Sequence, residues 1–394
     1  MSERMSVSLV ADDEVLENFA EDVGLLWCSG SGMIARLENP PTALQFSRDF
    51  VSQSRPCIIH NAMLQQEKHE TGHDNNGDSR PLHLSLSEIE DRMPADALIT
   101  VDVTPDGHGD CIRTTASDNI KRFVKPHEQK MTISEFRRYL EKSNGRMIQE
   151  KGILSDVEVV DAPSVTQNDP EGQPGNLPEQ STVYYSRQND CLRQEFQPIQ
   201  EMFPPTIAWA EQAIGTGPPD AINLWIGNQS VISSMHKDHY ENLFYVLEGE
   251  KIFTLCPPSD APFLYENEFL SGTFACRGDG TWQLTTDADE TRVRWIEPNV
   301  DTLLPNADPL GRTNTIKEFP LLKYTHPVQV RVKQGEMLYL PSLWFHQVTQ
   351  SCETIGINYW FDMKFDSPNW CYFHLLQQLK LSYRSHEGAE ALVS

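Results

Sequence analysis

The chain has 394 residues, with 32 basic and 57 acidic side chains and a formal net charge of −25 at neutral pH. That length suits one large domain or two ordinary ones, and so acidic a balance argues against general nucleic-acid binding, which needs a basic face. No stretch approaches the roughly 18 apolar residues of a membrane-spanning helix, and the N-terminus lacks the apolar run of a signal peptide. The eight cysteines (Cys28, Cys57, Cys111, Cys191, Cys256, Cys276, Cys352, Cys371) include no CxxC pair. The expectation is a cytoplasmic or nuclear protein with reduced thiols.

Residues 12–27, DDEVLENFAEDVGLLW, space apolar side chains as a helix does, behind an acidic first turn. After Pro40 and Pro41, TALQFSRDFVSQ predicts a second short helix and RPCIIHNA a buried strand. Residues 65–80 hold no apolar side chain and predict an exposed loop. ALITVDVTPDG alternates as a strand ending in a turn, and TISEFRRYLEK reads as an amphipathic helix capped by Thr132 or Ser134. Residues 143–181 are polar except for ILSDVEVV, which predicts a surface insertion.

From Ser181 the pattern changes. STVYYSRQ is a strand candidate, and TIAWAEQAIG a helix that stops at glycine. AINLWIG, SVISSMH, NLFYVLEGEKIFTLCPP, VQVRVKQGEMLYLPS, WFHQVTQ and TIGINYWFDM follow as short strands rich in β-branched and aromatic residues, with LEGEK as a hairpin turn. PNWCYFHLLQQLKLSYRSH predicts a C-terminal helix. The order argues for a mainly β fold, a barrel or double-sheet jelly roll with helices in front and behind. The divisions it suggests are an N-terminal helical and strand extension over 1–130, a helix and polar insertion over 131–182, a core over 183–366 and a helical end over 367–394.

The stretch SMHKDHYENLF, Ser234 to Phe244, packs two histidines, an aspartate and a lysine between apolar strands. Side chains alternate along a strand, so His236 and Asp238 point one way and Lys237 and His239 the other. Two ligands hold a catalytic metal poorly. His346, set among aromatic residues after a Pro-marked turn, is the best third. Two imidazoles and a carboxylate on one face form the facial triad of non-haem Fe(II) oxygenases. Zinc takes the same ligand types, but HExxH is missing, and nothing brings Cys256 in to close a structural site. A core histidine is the plain alternative for His236. Lys251, within the otherwise apolar GEKIFTL, tilts the balance, because lysine is seldom buried without an anionic partner. The plain alternative there is a lysine that snorkels out of a hairpin.

Taken together, SSMHKDHYENLFYVLEGEKIFTLCPP and VKQGEMLYLPSLWFHQVTQSCETIGINYWFDM resemble the Jumonji-C oxygenases, in the spacing from His236 to Lys251 and in the LPxxWFH that carries His346. PPTALQFSRDFVSQSRPCIIHNA and VTPDGHGD are similar to one subgroup, the lysyl 3-hydroxylase type. Only residues 65–80 and 143–181 match poorly. The resemblance implies a double-stranded β-helix (a cupin-like jelly roll), Fe(II), and 2-oxoglutarate and O2 as cosubstrates. It assigns His236, Asp238 and His346 to the metal. Lys251, Tyr184 and Ser233 go to the distal carboxylate of 2-oxoglutarate, with Tyr185 the less favoured tyrosine. Asn242 falls near the metal-binding end of the cosubstrate, Trp225 and Trp360 at the walls, and Asn358 lines the site without an assigned role. Phe244 departs from a relative's tyrosine.

The subgroup implies hydroxylation of lysine C3 in a GTPase of the developmentally regulated, translation-factor-related class. A histone lysine demethylase is the alternative, and a histone-tail peptidase comes third. Carboxylates are expected at the pocket mouth, with Asp110 and Glu241 as guesses. No nucleic acid or membrane partner is expected, and a homodimer is open.

Overall fold

A computed structural model describes residues 7–10, 13–28, 34–65, 80–115, 118–144, 153–154, 158–160, 177–178, 180–277, 281–287 and 291–382. At its centre are eight strands in two facing sheets: β1 (Ala221–Gly227), β2 (Ile232–Lys237), β3 (Tyr240–Glu248), β4 (Glu250–Cys256), β5 (Val328–Lys333), β6 (Glu336–Leu340), β7 (Phe345–Gln350) and β8 (Thr354–Asp362). One sheet runs β1-β8-β3-β6 and is extended by Cys57–His60 and Ala35–Leu37; the other runs β5-β4-β7-β2 and is extended by His108–Gly109. This is the jelly roll, with consecutive strands shared between two sheets.

Strand alternation divides the core. Phe244, Val246, Phe253, Leu255, Val330, Val332, Leu338 and Leu340 fill the space between the sheets. Leu243, Tyr245, Leu247, Ile357 and Tyr359 face outward from the first sheet, where Phe46, Ile89, Phe136, Ile199 and Ile214 of the preceding segments cover them. Strand β8 is therefore buried on both faces, with Ile355, Ile357, Tyr359 and Phe361 in the outer core and Thr354 and Asn358 as buried polar residues.

The predicted helices form at Asp13–Cys28, Ala43–Phe46 (continued by a π turn over Ser47–Val51), Ile133–Ser143 and Ala208–Ile214. Thr132 caps the third: its hydroxyl accepts from the Glu135 amide at 3.2 Å, and the Glu135 carboxylate accepts from the Thr132 amide at 2.9 Å. Gly215 ends the fourth with φ +71°. Most of the expected loop at 65–80, residues 66–79, lies outside the described residues. Within 143–181, Ile153–Leu154 and Glu158–Val160 are strands on an outer sheet, while most of the remainder lies outside the described residues.

Two expectations need correction. LEGEK is no hairpin: β3 pairs with β6 and β8, whereas β4 pairs with β5 and β7. The chain crosses from one sheet to the other at Gly249, whose φ of +80° turns it through a corner closed by Glu353. Gly335, at φ +83°, makes the corresponding crossing from β5 to β6. The C-terminal helix, Pro368–Gln378, is also shorter than expected. Leu379–Ser382 leaves it as a strand parallel to Val7–Val10, a partner from the far end of the chain that no local pattern announces.

Two further sheets, largely unread in the sequence, cover the open side of the core. Leu98–Thr104 sits between His127–Thr132 and Thr182–Tyr184. An outer sheet is built around Glu266–Cys276, which pairs with Lys121–Lys125, Trp282–Thr286 and Arg292–Ile296.

Candidate metal centre

His236 on β2 and His346 on β7 are directly opposed in the antiparallel register. Their rings lie 4.2 Å apart between centroids. Asp238 follows β2, and its Oδ2 is 3.6 Å from His346 Nε2. Ligand atoms of the three residues all fall within 4.8 Å of one another, and among the described residues this is the one such group.

The donor set suits a divalent transition metal. His236 Nδ1 donates to the Ser234 carbonyl at 2.7 Å and His346 Nδ1 to the Trp344 carbonyl at 3.0 Å. Each main-chain carbonyl therefore leaves the Nε2 lone pair for a metal. Burial, then His346, holds His236 down at about 4. Burial works to raise the Asp238 carboxyl, but the imidazoles of His346 and His236 outweigh it and hold it at about 2. At neutral pH His236 is thus a neutral imidazole and Asp238 a carboxylate, the forms that metal binding requires. His239 is turned away, stacked on Phe365 and edge-on to Trp370.

A cavity of about 250 Å³ opens beside the triad. Drug-sized ligands usually occupy roughly 300–1,000 Å³, so this cavity suits something compact. Lys251 reaches it from β4 with 1% of its surface exposed. Its ammonium donates to the Tyr184 hydroxyl at 3.1 Å and to the Gln350 side-chain carbonyl, and no carboxylate pairs with it among the described residues. Burial alone lowers it to about 7. Ser233 hydrogen-bonds Tyr184 and shares the cavity wall. A register shift between Ser233 and His236 lets both face inward although they are three residues apart. Tyr185 points away and donates to Glu195 at 2.7 Å.

From the facing sheet, Asn242, Phe244, Trp225, Asn358 and Trp360 line the same cavity. Trp225 Nε1 donates to Asn358 Oδ1 at 3.1 Å, and Asn358 Nδ2 donates to Asn242 Oδ1 at 3.3 Å. That chain leaves the Asn242 amide N–H groups for a ligand and places Asn358 behind Asn242 as its support.

The two guessed carboxylates separate. Asp110 lines the cavity. Glu241 does not: one residue from Asn242 on β3, it faces the opposite side, accepting from Tyr339 Oη at 2.6 Å and Ser342 Oγ at 2.8 Å. There it borders a separate cavity of about 620 Å³ between Asp13–Cys28 and Pro368–Gln378.

Trp295, Gln350 and Asp102 are among the residues at the site that escaped the sequence reading. Trp295, on Arg292–Ile296, lies 5.7 Å from His236 and parallel to it within 3°. Its Nε1 donates at 2.8 Å to Ser234 Oγ, so it braces the residue whose carbonyl orients His236. Gln350 stands directly across from Lys251 and anchors to the Asn228 carbonyl at 2.6 Å. Period-two spacing from His346 through Val348 would have found Gln350. The alternation in RVRWI would have found the strand bearing Trp295, though not its neighbour.

The seven cysteines described are free thiols. Among the described residues no helix is long and apolar enough to cross a membrane. Residues 43–367 match the family described as "Cupin-like domain". The chain is 31% identical over 392 residues to "JmjC domain-containing protein E" of Dictyostelium discoideum, covering 94% of this chain and 96% of the relative. It is 32% identical over 344 residues to the human "Bifunctional peptidase and (3S)-lysyl hydroxylase JMJD7", covering 87% and 88%. It is 30% identical over 373 residues to "Lysine-specific demethylase JMJ32" of Arabidopsis thaliana, covering 91% and 92%. With a jelly roll, a His-Asp-His cluster lining its cavity and relatives aligned over most of its length, the chain belongs to the Jumonji-C family of cupin-like 2-oxoglutarate dioxygenases.

Proposed function

We propose that the chain is an Fe(II)- and 2-oxoglutarate-dependent protein hydroxylase acting at C3 of a lysine side chain. The observation that carries this reading is Lys251, a buried ammonium with no carboxylate partner among the described residues, set in the same cavity as a His-Asp-His cluster. A dicarboxylate that chelates a metal at one end meets both features at once.

His236, Asp238 and His346 would hold the iron and leave three positions open. Bound there with 2-oxoglutarate and O2, iron supplies the oxidative decarboxylation to succinate and CO2 that inserts one oxygen atom into a substrate C–H bond. The chain's own residues bind, orient and exclude water. Lys251, Tyr184 and Ser233 receive the distal carboxylate. Asn242, steadied by Asn358 and Trp225, faces the metal-binding end. Trp225, Trp360 and Phe244 wall the cavity against solvent.

Lysine is favoured as target by the relative named a (3S)-lysyl hydroxylase and by two acidic side chains, Asp102 and Asp110, in the cavity wall. The protein carrying that lysine, on the subgroup resemblance, is a translation-factor-related GTPase. A demethylase reading draws on the relative named a lysine-specific demethylase. A peptidase reading has less support, because both histidines of the cavity are taken up by the metal cluster.

Anaerobic titration with Fe(II) and 2-oxoglutarate, followed by succinate release with lysine peptides, tests the chemistry. A gain of one oxygen in the peptide mass supports hydroxylation, and loss of a methyl group from methyl-lysine supports demethylation. No turnover, with His236→Ala indistinguishable from the parent, sinks the oxygenase reading. Affinity capture on the His236→Ala protein tests the GTPase.

A further inference from the structure

The cavity wall contributed by the N-terminal strands carries two carboxylates that neither the metal nor the cosubstrate engages in the reading above. Asp102 lies on Leu98–Thr104, directly across from Tyr184 in the antiparallel register. Asp110 follows His108–Gly109, which pairs with Ile232–Ser233 at the start of β2, and its carbonyl accepts from Ser234 Oγ. Asp110 thus adjoins the segment leading into His236, whereas Asp102 adjoins the residue that contacts Lys251. Both side chains line the cavity.

Neither carboxylate forms an ion pair among the described residues. Ser186 Oγ donates to Asp102, while the Asp110 carboxylate accepts no hydrogen bond there. The cations whose charge reaches them are committed elsewhere, Lys125 to Asp287 at 3.0 Å and Arg187 to Glu128. Burial pushes Asp102 up to about 7 and Asp110 up to about 6. A cationic ligand would favour the ionised form of both. Asp110 also holds φ at +46°, a conformation that few residues other than Gly, Asn and Asp adopt readily.

We propose that Asp110 and Asp102 form a cation subsite that seats the ammonium of the substrate lysine while its C3 carbon lies at the metal. This rests on the lysyl hydroxylase reading. In lysine the nitrogen lies four bonds beyond C3, so a C3 hydroxylase needs an anion set back from the metal to receive it. A demethylase must bring the N-methyl carbon, one bond from the nitrogen, to the metal, which would draw the charge away from an anion set back from it. The one cavity then holds two opposite demands, Lys251 for the cosubstrate's carboxylate and the aspartate pair for the substrate's charge.

The test uses the full chain with Fe(II) and 2-oxoglutarate on matched peptides bearing lysine or norleucine, which lacks only the ammonium. Oxygen insertion is read by mass spectrometry. The parent is expected to favour lysine by about 10- to 100-fold in kcat/KM, the factor for one charge-assisted hydrogen bond. In Asp110→Asn, and further in Asp102→Asn/Asp110→Asn, that preference should collapse toward unity, mainly through the KM for the lysine peptide. Asparagine keeps the size of aspartate and accepts a positive φ. Asp110→Glu restores the charge and should recover part of the preference. An unchanged preference in the double variant overturns the subsite, as does an equal loss with both peptides. Oxygen insertion into neither peptide by the parent, with methyl loss from methyl-lysine, overturns the hydroxylase reading and the subsite together.

Discussion

Replacing Lys251 by methionine separates what the lysine costs the fold from what it does for the cosubstrate. Its ordinary value is 10.5, and burial lowers it to about 7. At about 1.36 kcal/mol per pH unit, keeping the ammonium in the cavity costs on the order of 5 kcal/mol below pH 7. The unfolded chain holds this proton up to about pH 10.5, whereas the folded chain releases it from about pH 7. Between those values folding releases a proton, so Lys251 makes stability rise with pH by about 1.4 kcal/mol per unit. Below pH 7 both states are protonated, and the cost is full and constant. Methionine removes the charge but strands the Gln350 carbonyl, a loss of about 1–3 kcal/mol. Lys251→Met should therefore be more stable than the parent by roughly 2–4 kcal/mol near pH 7, an advantage that shrinks by about 1.4 kcal/mol per pH unit above it. Urea unfolding of both proteins at about pH 7, 8 and 9 reads this difference, and the subtraction cancels every titrating group they share. 2-Oxoglutarate should stabilise the parent by mass action and leave the variant unmoved. A difference that does not change with pH, or a variant stabilised equally by the cosubstrate, would refute the assignment of Lys251 as a buried, carboxylate-seeking cation.

Gly249→Ala should lose roughly 2–4 kcal/mol in a thermal melt, because φ is +80° and the new Cβ would lie 2.3 Å from the Glu353 carbonyl. A melt close to the parent's would mean that the corner between the sheets is loose. Trp295→Phe keeps a ring against His236 but drops the hydrogen bond to Ser234; anaerobic Fe(II) affinity should fall about 10-fold, as for other groups that orient a metal ligand, and unaltered affinity would show that Trp295 only fills space. Glu241→Gln should leave kcat unchanged and be at least as stable as the parent at pH 7. Burial raises the Glu241 carboxyl, so its cost appears as pH climbs through the unfolded value and fades in acid; reduced turnover would contradict its place in a separate cavity.

Much of the site was legible because strand geometry converts spacing into direction. His236 and Asp238 are two apart and converge, while His239 points elsewhere. Lys251 stood out because a lysine in an apolar strand demands an explanation, and it is buried as that argument required. The helix limits followed from local chemistry at Thr132 and Gly215. Glu241 misled because its acidity was weighed without its direction: alternation from Asn242 already sends it away from the cavity.

Other features depend on contacts that local patterns do not contain. A turn between two strands looks the same whether they pair or part, so LEGEK revealed a reversal but not the crossing between sheets. The bulge that turns Ser233 inward belongs to the pairing of β2 with β7, and so does the opposition of His236 and His346. Trp295 and Asp102 reach the cavity from two different sheets, and Gln350 meets Lys251 from a third. The amino-acid sequence by itself determined which side chains could hold a metal and which strand faces they occupy, because both follow from residue type and a two-residue period. Only the tertiary structure decided which strands lie side by side, and hence which buried charges share the cavity, because that choice depends on packing between segments far apart in the chain.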